Sequence, residues 1–552
     1  MRLQERRSKP VGWALDHLVE AAFGLVALGW LVYVLPATSR FSYFADDLLY
    51  LEQIGSAGGL FEPYAGHLSV VILSIYHASA EVGDLDYTPI MLAGVLAYVA
   101  GPISYIATTR RHLGPSLAAV LALSLLWHEG MRLRPSVLNH FLTLVGAVIC
   151  AAGLNRGRRA DGLVAAGLTL ALCSTGGGLV VAGTCLLHNL LVRPPLRRWL
   201  VALVPAVLWV GWWLLVADAA SASSPWPAGA GDAARFVRDL WLSPFYAAGF
   251  GNRFVAYALL GAFFVHGFSQ VRRGLGAGAN FLAWSAAMVA LGVVLVQGRG
   301  IQADAGVFRY AHLSMGFALL ALVPRQPIDW PKPGWLGDRR ELVAPVAAVL
   351  VLVFGGVAAL NARGWLQDYD RRNADLGREA DGTLLVVGLG DDVVPDSTAV
   401  PFFGFVGQLG SAGRLRAIID RYGSPFEATT ATADRVLVDL EIVRARVGGR
   451  SPHHGCRPLT VPLRVPGVAA YFEPSGLVDR PDGAREGRPR TEPLTLWSSN
   501  AFTVEVRRYG DAWVQLADVP AGRNVVLTLP ALSTERPWEV RADGACDVRA
   551  QA

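Results

Sequence analysis

The chain has 552 residues, of which 53% are hydrophobic and 17% are charged, and its mean hydropathy is +0.38. Soluble proteins carry about 25% charged residues, so this composition excludes a disordered chain, a fibrous protein and an ordinary cytosolic enzyme. Residues 1–360 hold 26 Lys and Arg against 19 Asp and Glu, whereas residues 361–552 hold 23 against 25. The basic excess therefore lies in short loops between apolar runs and is not the footprint of a nucleic-acid-binding protein.

This distribution predicts a helical membrane domain over 1–360, followed by a soluble domain over 361–552. A helix that spans a bilayer needs about 20 mostly apolar residues. Eleven apolar runs meet that description approximately: 17–36, 88–108, 114–128, 139–154, 161–174, 177–192, 198–217, 252–269, 279–297, 306–323 and 341–360. The shorter run 66–80 predicts a helix that lies on, or dips into, the outer leaflet.

Arginines orient the predicted helices. They fall in alternate loops, together with the basic N-terminus, and such loops face the cytoplasm. An odd number of spans then places the C-terminal domain outside the cell. The sequence thus predicts a multi-pass protein of the plasma membrane, with long outer loops at 37–87 and 218–251.

The soluble domain begins with a predicted helix over 361–380 and a buried strand over 383–389. A second helix is predicted over 403–421, ending near Gly423. Beyond residue 455, short alternating strands separated by Gly and Pro turns predict a β-sandwich that fills most of 455–552, with a polar loop at 474–493. Cys456 and Cys546 lie in this part, and outside the cell they would form a disulfide that joins its two ends.

The first outer loop, 37–87, carries seven acids and one Arg. Asp46 and Asp47 are adjacent there and are surrounded by aromatic and apolar residues. A carboxylate against an apolar wall is costly unless it is paired or bound to a metal, and such surroundings suit a general base. The alternative is a helix start, where adjacent acids favour the helix dipole.

A polytopic chain with a long acidic first outer loop, an acidic pair after helix one and a later Gly66–His67 motif resembles the GT-C glycosyltransferase superfamily. The outward soluble domain resembles those of actinobacterial cell-wall arabinosyl- and mannosyltransferases. An almost lysine-free basic composition, with only Lys9 and Lys332, also favours a high-GC, actinobacterial source. The resemblance implies sugar transfer from a polyprenyl-phosphate carrier, with a carboxylate of the first outer loop as base or metal partner. The chain departs from many members in having Asp47, where they have Glu.

Transfer from a lipid phosphate needs a base for the acceptor hydroxyl and cations for the departing phosphate. Asp46 is the candidate base, and Asp47 would orient it or hold a divalent cation such as Mg²⁺, Mn²⁺ or Ca²⁺. Arginine suits phosphate because its donors form a fork. The candidates for the donor phosphate are Arg309, Arg132, Arg134, Arg299 and Tyr310. His67 and Glu62 are candidates for substrate binding, although a single His is more often structural, and Arg309 could equally reach the headgroups as a membrane anchor.

These residues predict an integral membrane glycosyltransferase that acts at the outer face on a cell-envelope glycan or glycolipid. Its partners would be the polyprenyl-phosphate sugar, the acceptor and membrane lipid, and no nucleic acid. The alternative is a non-catalytic polytopic envelope protein, a transporter or a scaffold of the glycan machinery. A third reading is a catalytically inactive relative that only binds the lipid carrier. The Gly-rich stretch 174–178 is interpreted as a membrane bend and not as a phosphate loop.

Overall fold

A computed structural model describes residues 17–29, 31–32, 46–56, 58–63, 67–82, 85–126, 138–157, 160–216, 230–249, 251–299, 308–325, 345–357, 412–423, 444–450, 457–458, 463–465, 494–507, 513–529 and 538–547. The chain divides into two compact units. The first comprises Met1–Ser39, Ser56–Ser79 and Tyr87–Asp368, and the second comprises Arg40–Gly55, Ala80–Asp86 and Tyr369–Ala552. Two segments of the predicted first outer loop, 40–55 and 80–86, therefore belong to the same unit as the C-terminal part of the chain.

Helices dominate the described chain. In order they are α1 (His17–Gly29), α2 (Asp46–Ile54), α3 (Val70–Val82), α4 (Thr88–Leu113), α5 (Pro115–Leu126), α6 (Leu138–Arg156), α7 (Asp161–Leu172), α8 (Gly177–Val192), α9 (Leu196–Val216), α10 (Ala230–Ala248), α11 (Arg253–Arg272), α12 (Ala279–Arg299), α13 (Phe308–Ala321), α14 (Pro345–Val357) and α15 (Ala412–Tyr422). Each predicted apolar run overlaps one of these helices. Within the described residues, α4, α6, α9, α11 and α12 are long and apolar enough to cross a membrane. The mostly helical, membrane-like character is thus confirmed.

Glycines allow α6 and α7 to pack closely. A Cβ added to Gly146 would lie 2.6 Å from the carbonyl oxygen of Gly167, and one added to Gly153 would lie 2.6 Å from Val164 Cγ2. Small residues of this kind let helix backbones approach each other in membrane proteins, where van der Waals packing supplies much of the association energy. The α6–α7 pair is therefore a rigid part of the first unit.

Two apolar helices bury little of their surface. Only 11% of the most apolar window of α9 and 22% of that of α11 are buried, whereas the corresponding window of α6 is 78% buried. Large apolar residues such as Leu208, Leu215 and Phe254 are exposed on α9 and α11. Exposure of this much apolar surface is unfavourable in water but not in lipid. The exposed faces of α9 and α11 are therefore typical of helices that contact lipid.

Residues 230–248 correct the predicted outer loop 218–251, because they form helix α10. Asp232 pairs with Arg235, and Arg238 pairs with Asp239 on its exposed side. These charges made the segment look like a loop. Phe236 and Leu240 are nevertheless buried at helical spacing, and α10 packs against α12 and α13.

The second unit contains α2, α15 and two antiparallel sheets. The strands are β1 (Arg444–Arg450), β2 (Arg457–Pro458), β3 (Leu463–Val465), β4 (Leu494–Trp497), β5 (Phe502–Arg507), β6 (Val514–Val519), β7 (Arg523–Thr528), β8 (Trp538–Arg541) and β9 (Cys546–Asp547). One sheet has the order β1-β7-β4-β9-β2 and the other β3-β8-β5-β6. Alternating burial, as at Phe502, Val504 and Val506, leaves one face of a strand apolar.

The predicted alternating segments after residue 455 coincide with most of these strands. Helix α15 ends at Tyr422, close to Gly423 as predicted; at Gly423 φ is +86° and the N–H donates to the Ile419 carbonyl. Strands β1, β4 and β9 were not predicted. The predicted helix 361–380, strand 383–389 and loop 474–493 lie outside the described residues.

Candidate functional site

The acidic pair lies at the start of a helix in the second unit. Helix α2 begins at Asp46, whose side chain is outside the described part of the structure. Asp47 is only 1% exposed, and its neighbours Leu48 and Leu51 are fully buried. A carboxylate in such a place needs polar compensation, and the first turn of a helix supplies part of it through free N–H groups and the helix dipole.

His67 approaches the start of α8, within the first unit. A Cβ added to Gly176 would lie 2.8 Å from His67 Cε1 and 2.9 Å from His67 Nδ1. Nearby, the Val71 N–H donates to the Cys173 carbonyl at 3.4 Å. The segment around His67 and Val71 thus packs on the turn between α7 and α8, and the side chain of His67 occupies the space that glycine leaves there.

Glu62 has a different neighbour. Its Oε2 accepts a hydrogen bond from the Ser56 hydroxyl, and its side chain packs beside Gly58. The 3₁₀ turn next to it, Gly59–Phe61, is fixed by Trp212 of α9, whose Nε1–H donates to the Phe61 carbonyl at 2.8 Å. Glu62 therefore belongs to a local turn in the first loop.

The turn that precedes α8 connects three helices. Thr175 Oγ1 accepts from the Gly177 N–H at 2.9 Å and lies 3.1 Å from Thr143 Oγ1 of α6. A Cβ added to Gly177 would lie 3.1 Å from Leu313 Cδ2 of α13. The N-terminal end of α8 therefore meets the N-terminal parts of α6 and α13.

A group of mostly buried rings joins α6 and α13 near their first residues. His140 packs edge-on to Tyr310 with 5.4 Å between ring centroids, and Phe141 packs edge-on to His312 at 5.3 Å. Tyr310 and His312 are each 1% exposed. Tyr98 of α4 completes the group, 5.0 Å from Phe141.

Three helix N-termini, those of α6, α8 and α13, thus come together at one end of the first unit. A helix N-terminus carries about half a positive charge and therefore favours an anion nearby. The convergence of α6, α8 and α13, with His67 from the first loop, is the feature that no sequence pattern indicated. The stretch 174–178, predicted to be a bend, contains the turn between α7 and α8 and the first residues of α8.

The predicted arginines adjoin these helix ends in the sequence. Arg309 is the second residue of α13, and Arg299 ends α12, but their side chains are outside the described residues. Arg132 and Arg134 also lie outside them, shortly before the first residue of α6. Of the predicted phosphate ligands, the structure therefore describes the side chain of Tyr310 alone.

The opposite end of the first unit holds cations with structural partners. Arg198 is 4% exposed, pairs with Asp161 at 3.3 Å and donates to the carbonyls of Leu154 and Gly153. Arg325 donates to the Gly276 carbonyl. Arg198 thus lies at the carbonyl end of α6, where a cation meets the negative end of the helix dipole.

Among the residues that the structure describes, no group of three or more His, Cys, Asp or Glu side chains could hold a metal ion. The divalent cation at Asp46 and Asp47 stays a prediction, and no chemical step below depends on it. Cys546 is disulfide-bonded, and its predicted partner Cys456 lies outside the described residues. Comparisons of the chain with models of protein families, with curated proteins and with solved structures gave no match.

Proposed function

We propose that this protein is an integral membrane glycosyltransferase that moves a sugar from a polyprenyl-phosphate donor to a cell-envelope glycan or glycolipid. One observation carries the proposal: the N-termini of α6, α8 and α13 lie close together, and His67 of the first loop contacts the start of α8. A phosphate in this place would be stabilised by helix dipoles and by arginine in the adjoining segments. The donor phosphate is such an anion.

The reaction requires a base for the acceptor hydroxyl and stabilisation of the departing phosphate. We assign these two roles to different residues. Asp46 accepts the proton of the acceptor hydroxyl while that oxygen attacks the anomeric carbon, and Asp47 orients it. The bond from the anomeric carbon to the phosphate oxygen breaks, and the lipid phosphate leaves with its electron pair. Arg309, Arg132, Arg134, Arg299 and Tyr310 stabilise this charge, together with the helix N-termini.

The proposed topology has the first loop and the α6, α8 and α13 N-termini on the outer face. Trp212, near the end of α9, bonds to the first loop, and so does the α7–α8 turn at Cys173. The cationic end of the unit, with Arg198 and Arg325, would face the cytoplasm, in agreement with the positive-inside rule. In this proposal the fold is GT-C-like, has eleven spans and carries an outer β-sandwich.

A large apolar cavity supports a lipid ligand. It measures about 550 Å³ and lies between α4, α5, α10, α11 and α13, lined by residues such as Leu117, Phe245, Phe263 and Leu319. Ligand cavities of this size and character bury apolar molecules. An isoprenoid chain would fill it without a requirement for polar partners.

The test is a transfer assay in proteoliposomes. The full-length protein receives a panel of radiolabelled polyprenyl-phosphate sugars and a cell-wall glycan acceptor, and transferred label is counted. Asp46→Asn and Asp47→Asn are compared with Glu81→Gln, which removes an exposed acid of the same loop. We expect loss of transfer in the two Asp variants alone. Absence of transfer with every donor would favour the non-catalytic alternative, and equal rates in all variants would refute the site assignment.

A further inference from the structure

Helix α2, which carries Asp46 and Asp47, is too short to be stable alone. It has nine residues, and isolated helices of fewer than about 12 residues are marginal in water. It buries Leu48, Tyr50, Leu51 and Ile54. Its order must therefore come from the elements packed against it, and one of these is α15, from the C-terminal part of the chain.

Two arginines of α15 form hydrogen bonds with the C-terminal half of α2 and with the residue that follows it. The Nε and Nη2 groups of Arg414 donate to the two carboxylate oxygens of Glu52, in the forked geometry that arginine favours. The Nη1 group of Arg421 donates to the Gly55 carbonyl at 2.5 Å, just beyond the last residue of α2. There the cation also meets the negative end of the helix dipole.

The contact is close as well as charged. A Cβ added to Gly55 would lie 3.4 Å from both Arg421 Nη1 and Tyr422 Oη, and 3.1 Å from the Glu52 carbonyl oxygen. The Leu415 and Ile418 side chains of α15 are buried. Because the hydrogen bond with Glu52 stabilises its guanidinium, the pKa of Arg414 is raised above its ordinary value.

We propose that Arg414 and Arg421 are positioning residues that hold α2, and with it the acidic pair, in its working place. This inference rests on the proposed function of Asp46 and Asp47. A nine-residue helix is about 13 Å long. If Glu52 moves, the whole of α2 moves with it, and so does its first turn with Asp46 and Asp47. The C-terminal part of the chain is then required for transfer itself, in addition to any binding of the glycan.

A charge exchange between Glu52 and Arg414 tests the proposal. A displacement of the reacting groups by about 1 Å costs roughly 100-fold in rate, so we expect Arg414→Glu and Glu52→Arg each to lower kcat by up to about that factor. The KM for the donor should stay within about twofold, because the donor phosphate is held elsewhere. The exchanged pair, Glu52→Arg with Arg414→Glu, should recover most of kcat.

Matched variants separate this role from general destabilisation. Arg446→Glu makes the same change of charge on exposed strand β1 and should leave kcat unchanged. If a charge reversal prevents folding, Arg414→Gln and Arg414→Lys replace it, and Lys should retain more activity than Gln. The rate of hydrogen exchange of residues 46–55 should rise in each single variant of Arg414 or Glu52, and it should fall again in the exchanged pair.

Each outcome has a separate meaning. Unchanged kcat in folded single variants, or no recovery in the exchanged pair, would overturn the positioning role. No transfer by the wild-type protein would overturn the proposed function, and the positioning role with it. In that case, hydrogen exchange that still recovers in the exchanged pair would leave the α2–α15 contact established as a structural one.

Discussion

Gly176→Ala tests whether the position of the His67 imidazole affects transfer from the polyprenyl-phosphate donor. The backbone at Gly176 is right-handed helical, with φ of −58°, so alanine adopts it without strain. The added Cβ, however, would lie 2.8 Å from His67 Cε1, whereas carbon atoms prefer about 3.5–4.0 Å. The imidazole must therefore move by roughly 1 Å.

A shift of that size at a group that contacts the substrate costs up to about 100-fold in kcat/KM. The measurement is kcat and KM for the polyprenyl-phosphate donor in proteoliposomes. Gly183→Ala is the matched control, because the same change in α8 meets nothing within 4 Å. It should retain activity and stabilise the helix by about 0.5–1 kcal/mol.

The double variant decides between a binding role and a packing role for His67. We expect His67→Ala to lose activity by itself, and the double variant His67→Ala with Gly176→Ala to be no more active than either single variant. Wild-type activity in His67→Ala, or recovery in the double variant, would show that His67 is a packing residue and would refute the reasoning.

Three further predictions concern stability. Gly146→Ala should lower the free energy of unfolding by about 1–3 kcal/mol, because its Cβ would lie 2.6 Å from the Gly167 carbonyl oxygen. The measurement is the midpoint of thermal unfolding, with Gly183→Ala as the control. An unchanged midpoint in Gly146→Ala would contradict the close packing of α6 and α7. Arg198→Gln should cost about 1–3 kcal/mol, because it removes one of the two arginines that pair with buried Asp161, Arg197 being the other. The donor KM should stay unchanged in the protein that folds, whereas a raised KM would place the pair at the donor. Cys546→Ser should cost about 2–5 kcal/mol through loss of its disulfide, and reductant should lower the wild-type midpoint but not that of the variant.

Local patterns carried most of the architecture. Apolar runs predicted the helices, and alternation with Gly and Pro predicted most strands after residue 455, because both signals act over a few residues. Helix α10 was missed because four charges on its exposed side hid the helical spacing of Phe236 and Leu240. Strand β1, RARVGGR, has three arginines and two glycines and gives no alternating signal.

The candidate site depends on contacts that no local pattern contains. Arg414 and Glu52 are 362 positions apart, and His67 meets Gly176 across more than a hundred residues. The acidic pair is conspicuous in the sequence because two carboxylates lie among apolar residues, and its role stays a prediction. The joining of the α6, α8 and α13 N-termini could not, since it follows from how the helices pack.

The most direct measurement of the central claim is the initial rate of sugar transfer by wild-type protein and by Asp46→Asn, in proteoliposomes with one polyprenyl-phosphate sugar that the wild type uses. Removal of a general base costs about 100- to 10,000-fold. We predict a loss in that range, with donor binding retained. Equal rates for the two proteins would contradict the assignment of Asp46 as the base.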